Sequence, residues 1–482
     1  VNLLAPEELP AAAKALLDQG FRVALVSGHD DGDHLRAVYV FLAPAPDRRT
    51  ELHVQLPKSA PRVPSLARLS FPAGRFEREM RDLFGIVPEN HPQPRRLVRH
   101  FHWPRGWYPM RAGAGAPPEF GAVDGPYPFR AVEGDGVYEI PVGPVHAGMI
   151  EPGHFRFSVV GETILNLKAR LWFVHKGLET LFPGRAPGDG IELAERISGD
   201  TAVGHALAYC LAVEDALGWE MSAGAARVRV ILLELERIHN HVADLGALCN
   251  DVGHSVLNAH AQTVREKLLR HNEEVTGHRL LRGAVQLGGA RLRRMPDVAR
   301  VRSLAAEAEE IASLALEHSV VRDRFAGTAV LSAQQAADLG TLGYVARASG
   351  LGRDARYDHP FLDLGKPVQH SRTDGDVLSR FVVRVEEIGH SAALVEQLVA
   401  KPDVTPPPVA EGPRSGIGVV EGWRGTIVHR VELSGGVLSR VKVVDPSFFN
   451  WPALPVALVD TIVPDFPLTN KSFNLSYAGN DL

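Results

Sequence analysis

The segment ELERIHNH places Glu234, Arg237 and His241 at three- and four-residue spacing. On a helix that spacing puts a carboxylate, a guanidinium and a titratable imidazole on one face. The surrounding text, ARVRVILLELERI, is otherwise strongly apolar. On the residues alone the ordinary reading of such a line is an intrahelical ion pair at a wet surface, worth about 0.3–0.5 kcal/mol. Ser198 and Thr201 are three residues apart, as are Ser476 and Gly479. At a helix start that spacing gathers side chains on one face, where ligand atoms could converge, but none of the four carries a thiolate. A metal there would need His205, Asp200 and Glu151 as harder ligands. The other outcome is a polar cavity filled by hydrogen bonds and water. Cys210 and Cys249 lie in apolar helical text, AYCLAVE and LGALCND. They are expected to be buried inert thiols, not a disulfide framework or an iron–sulfur site. Gly288-Gly289 and Gly435-Gly436 read as turn glycines outside any strand–GxGxxG–helix context, so no nucleotide site is expected.

The elements that must position these groups divide the chain in two. FRVALVSG (21–28) and LRAVYVFLA (35–43) are β-branched runs around the polar turn HDDGDH, a hairpin signature, and TELHVQL alternates like a third strand. AGRFEREMRDLFGIVPENHPQPRRL starts as an amphipathic helix that breaks at Gly85 and Pro88. Residues 112–140 are rich in Gly, Ala and Pro and fit an extended linker. That puts an α/β domain at 1–111 and a larger domain at 141–482. From about 155 to 400 the text reads mainly as helices, in ETILNLKARLWFVHKGLETLF (162–182), AVGHALAYCLAVEDAL (202–217), AARVRVILLELERIHNHVADLGALC (225–249) and AQTVREKLLRHNEEVTGHRLL (261–281). KPDVTPPPVAEGPR (401–414) reads as a second connector, and GTIVHRVEL and LSRVKVV flank SGGV as a short hairpin. The expected fold class is α+β: a small α/β domain, then a large, mainly helical domain with a small β appendage. A net charge of −5 argues against non-specific nucleic-acid binding. No run of 18 or more apolar residues spans a membrane, and no signal peptide is expected.

Particular blocks carry a family resemblance. GPVHAGMIEPGHFRFS (143–158), HKGLE (175–179), ERISGDTAVGHALAYC (195–210), ARASGLGRDARYDHPF (346–361), RTDGDVLSRFVVRVEE (372–387), PSFFNW (446–451) and SFNLSYAGNDL (472–482) occur in the order found in membrane-bound nickel–iron hydrogenase large subunits of the formate hydrogenlyase type. They also resemble the related quinone-site D subunit of complex I (NADH–quinone oxidoreductase). The EREMRDLFGI…HPQPRR text resembles the complex I C subunit through Glu77, Arg78, Glu79, Asp82, Phe84, Gly85, Ile86, His91, Pro92, Arg95 and Arg96, with Gln93-Pro94 departing from the pattern.

The resemblance implies that four metal-binding cysteines of the hydrogenases fall on Ser198, Thr201, Ser476 and Gly479, so no nickel or iron is expected. It makes Glu151 and Glu179 proton-relay candidates beside Glu234 and His241; the alternative for the first two is a structural acid paired with Arg156, Arg196 or Lys176. It also implies a possible quinone site from Tyr209, His146 and Asp251, although the second, headgroup-binding histidine falls on Ile150. The expected role is a peripheral subunit on the cytoplasmic face of the cell membrane, docked to an iron–sulfur small subunit and to membrane subunits of the complex I or antiporter type. There it would couple electron transfer to proton movement, or serve only as an assembly scaffold.

Overall fold

The computed structural model describes residues 2–44, 47–121, 125, 127–147, 150–370, 372–399 and 415–482. The chain opens with β1 (Asn2–Leu4), helix α1 (Leu9–Asp18), β2 (Arg22–Asp30), β3 (His34–Ala43) and β4 (Arg48–Pro57), forming one sheet in the order β1-β4-β3-β2. The expected hairpin is β2–β3, antiparallel from Arg22↔Leu42 to Asp30↔Leu35, and TELHVQL is the heart of β4. Helix α2 (Phe71–Phe84) packs on β2. The Ser70 side chain caps its start by accepting from the Ala73 amide. Gly85 ends it with φ +71°, where a Cβ would meet the Tyr108 ring at 2.6 Å. Between Asn90 and Gly136 no helix or strand occurs among the described residues.

Next comes an antiparallel sheet of β5 (Val137–Val142), β6 (His154–Val160) and β7 (Thr163–Arg170). The sequence reading of 162–182 as one helix is wrong here. The buried positions of β7, Ile164, Leu167 and Arg170, are three residues apart, which mimics a helical stripe. The cause is a bulge: Val159 pairs with Ile164 but Ser158 with Asn166, so Leu165 is an extra residue that shifts the alternation. Only Leu178–Leu181 of this text is helical.

The long helices follow: α3 (Ala202–Leu217), α4 (Ala223–Asp251), α5 (Ser255–Thr276), α6 (Val298–Glu317) and α7 (Val377–Leu398). Helix α4 is the centre, packed against α5 and α7, and is buried on nearly every side. The HRLL text lies beyond the α5 C-cap, Gly277. The expected hairpin appears as β9 (Gly425–Ser434) and β10 (Val437–Val444), with a third strand, β8 (Ser415–Gly422), that the sequence reading did not place. The connector expected at 401–414 lies outside the described residues. This sheet does not hang off the bundle as an appendage. β8 and β9 are almost wholly buried and receive α3. Gly416 and Gly418 permit that approach, because a Cβ on either would collide with the Ala212 or Ala208 carbonyl.

One hydrophobic cluster joins the N-terminal sheet to Phe155, Tyr344, Trp423, Phe448 and Trp451 of the larger part. Buried and half-buried ion pairs reinforce that junction: Arg430 to Glu51 at 2.8 Å, Arg36 to Glu432 at 3.0 Å and Lys442 to Glu79 at 2.7 Å. A second cluster fills the helical part around α3, α4 and α7.

Candidate functional site: a polar cleft and a buried charged line

Ser198, Thr201, Ser476 and Gly479 come from two distant segments, and the fold brings them together. Thr201 immediately precedes α3, and Ser476 caps the last helix, α8 (Tyr477–Asp481), by accepting from the Gly479 amide at 2.9 Å. Ser198 Oγ and Ser476 Oγ are hydrogen-bonded at 2.8 Å. Ser198 also donates to Asp200 at 3.0 Å, as does Thr201. Arg424 grips both oxygens of Asp200 at 2.6 Å, and the Trp423 indole donates to Thr201 Oγ1 at 3.1 Å. Burial would raise the Asp200 carboxyl, but Arg424 outweighs it and holds the group at about 2. The space a side chain on Gly479 would need is taken by Asp445, whose Cγ and Oδ2 lie 2.6 Å from an ideal Cβ. Asp445 in turn holds His205 Nε2 at 3.0 Å, and His205 Nδ1 meets His429 Nε2 at 3.0 Å, all fully buried or nearly so.

On the other side of Ser198 and Ser476 opens a cleft of about 640 Å³. His146, Glu151, Asp200, Asp244, Asp251 and Arg424 are among its polar lining. His146 is half-buried, burial pushes its imidazole below the usual range, and its Nε2 meets no hydrogen-bond partner among the described residues. Burial pushes Asp251 up, partly countered by Lys471. Tyr209 does not join them. Its ring is fully buried against Phe182, and its hydroxyl donates to the Pro187 carbonyl at 2.6 Å. The expected trio therefore splits: two residues face the cleft, and the third is a core tyrosine on the inward face of α3.

The proton-relay candidates also separate. Glu151 stands exposed on the cleft rim and accepts from the Ala478 amide at 3.0 Å. Glu179 is buried elsewhere, at the junction with the N-terminal sheet, bonded to Arg440 at 2.8 Å, Lys442 at 3.1 Å and the Val443 amide at 3.1 Å. Burial opposes its ionisation, but these two cations hold it at about 2. Its partners are not the Arg156, Arg196 or Lys176 that the sequence offered.

Glu234 and His241 belong to a single buried network, and neither sits at a wet surface. Glu234 pairs with Arg237 at 3.0 Å and Arg356 at 3.3 Å. Arg237 and His241 both reach Glu387 on α7, at 3.4 and 2.8 Å. Arg347 bridges Glu387 and Glu421 at 2.6 and 2.7 Å. Burial lowers His241, and despite burial the surrounding Arg347, His241 and Arg237 hold Glu387 well below the carboxylate range. The line reaches the cleft through aromatic and polar steps. The His241 ring lies 5.8 Å from Tyr344, Arg384 sits 3.8 Å over the Tyr344 ring, and Arg384 bonds cleft-lining Asp244 at 3.0 Å. At the far end Ser391 donates to Glu234, and Tyr357 and His390 pair at 2.7 Å where burial becomes partial.

Sequence reasoning missed Asp445, His429, Arg424, Asp244, Arg347 and Glu387 as site residues. A signal existed for some. Arg380, Arg384, Glu387 and Ser391 recur at three- and four-residue spacing on an otherwise apolar helix, the same pattern that singled out Glu234 and His241. Cys210 and Cys249 are buried thiols, the latter pushed by burial up to about 12.

A large-subunit fold with this gathered set defines a class, and the chain belongs to the family that unites membrane-bound hydrogenase large subunits with the fused C/D subunits of NADH–quinone oxidoreductase. Residues 3–116 match the respiratory-chain NADH dehydrogenase 30 Kd subunit, 176–250 the nickel-dependent hydrogenase family and 251–415 the respiratory-chain NADH dehydrogenase 49 Kd subunit. Among relatives, Hydrogenase-4 component G of Escherichia coli is 34% identical over 89% of this chain and 76% of its own length. Formate hydrogenlyase subunit 5 of the same organism is 32% identical over 89% and 77%. The C/D subunit of NADH-quinone oxidoreductase from Phocaeicola vulgatus is 29% identical over 71% and 70%. A chain of the archaeal membrane-bound sulfane sulfur reductase shares the fold at TM-score 0.64 and 24% identity, covering 74% of this chain and all of its own. Among the described residues no helix is long and apolar enough to cross a membrane.

Proposed function

We propose that this chain is a peripheral subunit of a membrane-bound, complex-I-like oxidoreductase complex. In this reading the nickel–iron centre of its hydrogenase relatives has given way to a polar cleft, and the chain couples electron transfer to proton movement. The observation that carries the reading is the hydroxyl pair Ser198–Ser476 at 2.8 Å, with Asp445 filling the space beside Gly479. The donor set does not fit a nickel–iron group. Thiolates are the soft ligands such metals select, and here stand two serines, a threonine and a glycine whose surroundings already satisfy one another. Protons would enter past Glu151 at the rim and move along the cleft toward Asp244. From there Arg384 stacks on the Tyr344 ring, and His241, Glu387 and Glu234 continue the line through the core. Glu179 lies off this path. The complex would add an iron–sulfur small subunit and membrane subunits of the complex I or antiporter type, with this chain on the cytoplasmic face.

Glu151→Gln tests the entry step, since it keeps the shape but removes the titratable proton. Coupled proton transfer by the assembled complex should fall about tenfold, about 1.4 kcal/mol on the barrier, with assembly unchanged. Unchanged coupling in a fully assembled variant ends the relay through Glu151. Elemental analysis of the purified protein tests the metal reading, and stoichiometric nickel would overturn it.

A second reading, quinone reduction at the same cleft, is favoured by the unpartnered Nε2 of His146 and the presence of Asp251. A volume of about 640 Å³ suits a small planar headgroup. His146→Ala should then abolish quinone-dependent turnover and leave assembly intact.

A further inference from the structure

The polar turn HDDGDH brings together groups that neither the cleft nor the buried charged line uses. His29 lies at the end of β2, Asp31 in the turn and His34 at the start of β3, and Glu432 approaches from β9. His29, Asp31 and Glu432 each offer a ligand atom, all within 4.8 Å of one another. The three share the wall of a cavity of about 320 Å³. His29 is 2% exposed, and its Nε2 has no hydrogen-bond partner among the described residues. Its Nδ1 lies 3.4 Å from Glu432 Oε2; two ligands on one tetrahedral zinc ion stand about 3.3–3.4 Å apart. Burial holds His29 at about 4, so its imidazole is neutral near pH 7, the form that ligates.

His34 flanks the group from the other side. Its Nδ1 meets Asp33 at 2.6 Å, the carboxylate–imidazole contact that orients a ring for metal binding through its other nitrogen. That nitrogen, Nε2, is buried without a hydrogen-bond partner among the described residues and lies 3.3 Å from Asp31 Oδ2. Cations already stand nearby. Arg36 pairs with Asp31 at 2.6 Å and Glu432 at 3.0 Å. Arg430 pairs with Glu432 at 2.6 Å and with Glu51 at 2.8 Å, and Glu51 also meets His53 at 2.6 Å. Three carboxylates thus face two guanidiniums, of which Arg36 is the more exposed. Exchange of Arg36 for a divalent ion balances their charge. Arg440 and Arg111, on the same cavity wall, are held by Glu179 and by the Phe84 carbonyl.

Independently of the reading above, we infer that His29, Asp31, His34 and Glu432 form a zinc site that clips the N-terminal hairpin to β9, with Arg36 as the cation that zinc displaces. Two imidazoles and two carboxylates are a donor set suited to zinc. Magnesium prefers oxygen ligands and is the poorer match.

The test is titration calorimetry on the chelator-treated full chain with zinc ion alone and, separately, magnesium ion alone. Zinc should bind, and more tightly than magnesium. Asp31→Asn and His34→Ala change residues of the exposed turn and its edge, and each should weaken zinc at least tenfold. His260→Ala, on the exposed side of α5, should leave affinity unchanged. Arg36→Gln removes the competing cation and should tighten zinc. Zinc should also raise the urea midpoint of the parent but not that of Asp31→Asn, a readout that a merely destabilised variant would not mimic. Four results would overturn the inference: no saturable zinc binding by the parent, magnesium bound as tightly as zinc, equal weakening by His260→Ala, or weaker zinc binding by Arg36→Gln than by the parent.

Discussion

Gly479→Ala is the sharpest probe of how Ser198, Thr201, Ser476 and Gly479 are packed. The φ of Gly479 is not in the left-handed region, so alanine meets no backbone strain and the whole effect is steric. The new methyl would sit 2.6 Å from Asp445 Cγ and Oδ2, and 3.0 Å from Oδ1. Asp445 is 1% exposed and cannot retreat into solvent. Overpacking of this kind costs about 1–3 kcal/mol. If the carboxylate swings aside, it releases its charge-assisted bond to His205 at 3.0 Å, a further loss of about 1.5–3 kcal/mol. The expected destabilisation is therefore about 2.5–6 kcal/mol, read as a lower urea midpoint at unchanged slope. Combining it with Asp445→Ala closes a double-mutant cycle. With the carboxylate gone the methyl has room, so the double variant should be no less stable than Asp445→Ala alone. A Gly479→Ala protein within about 0.5 kcal/mol of the parent would refute the packing argument, as would strict additivity in the cycle.

Other expectations concern the buried groups. Glu387→Gln removes one of the anions that neutralise Arg347 and Arg237, and the one that faces His241. Stranding buried cations should cost about 3–5 kcal/mol, measurable by chemical denaturation. Glu179 is held at about 2 in the fold against an ordinary 4.5. Its stabilising contribution is thus complete above pH 4.5 and is lost as pH falls through that value toward 2. Stability measured across this window should depend less on pH in Glu179→Gln than in the parent. Tyr209→Phe removes one hydrogen bond to the Pro187 carbonyl and should cost about 1 kcal/mol without altering quinone-dependent turnover; a specific loss of turnover would return Tyr209 to the site.

The sequence by itself determined the family, the α+β class, the β2–β3 hairpin with its third strand, α2 with its stop at Gly85, and the long apolar helices. The family rests on the motif blocks and their order, and the elements rest on local periodicity and turn chemistry, which neighbouring residues write directly. It also showed that Ser198, Thr201, Ser476 and Gly479 carry no thiolate, because residue type needs no coordinates. Tertiary structure alone decided the rest. The Leu165 bulge turned a strand into an apparent helical stripe, and only pairing with β6 reveals it. The buried place of the β8–β10 sheet depends on glycines that matter only once α3 lies against them. Glu151, Glu179, Glu234 and His241 look alike as titratable residues in partly apolar text, yet one is exposed at a rim, one is clamped at a junction and two share a buried line. Charge state follows from burial and from partners that lie up to hundreds of residues away, such as Arg440 for Glu179 and Arg424 for Asp200. Those partners act through space, so the spacing along the chain could not name them.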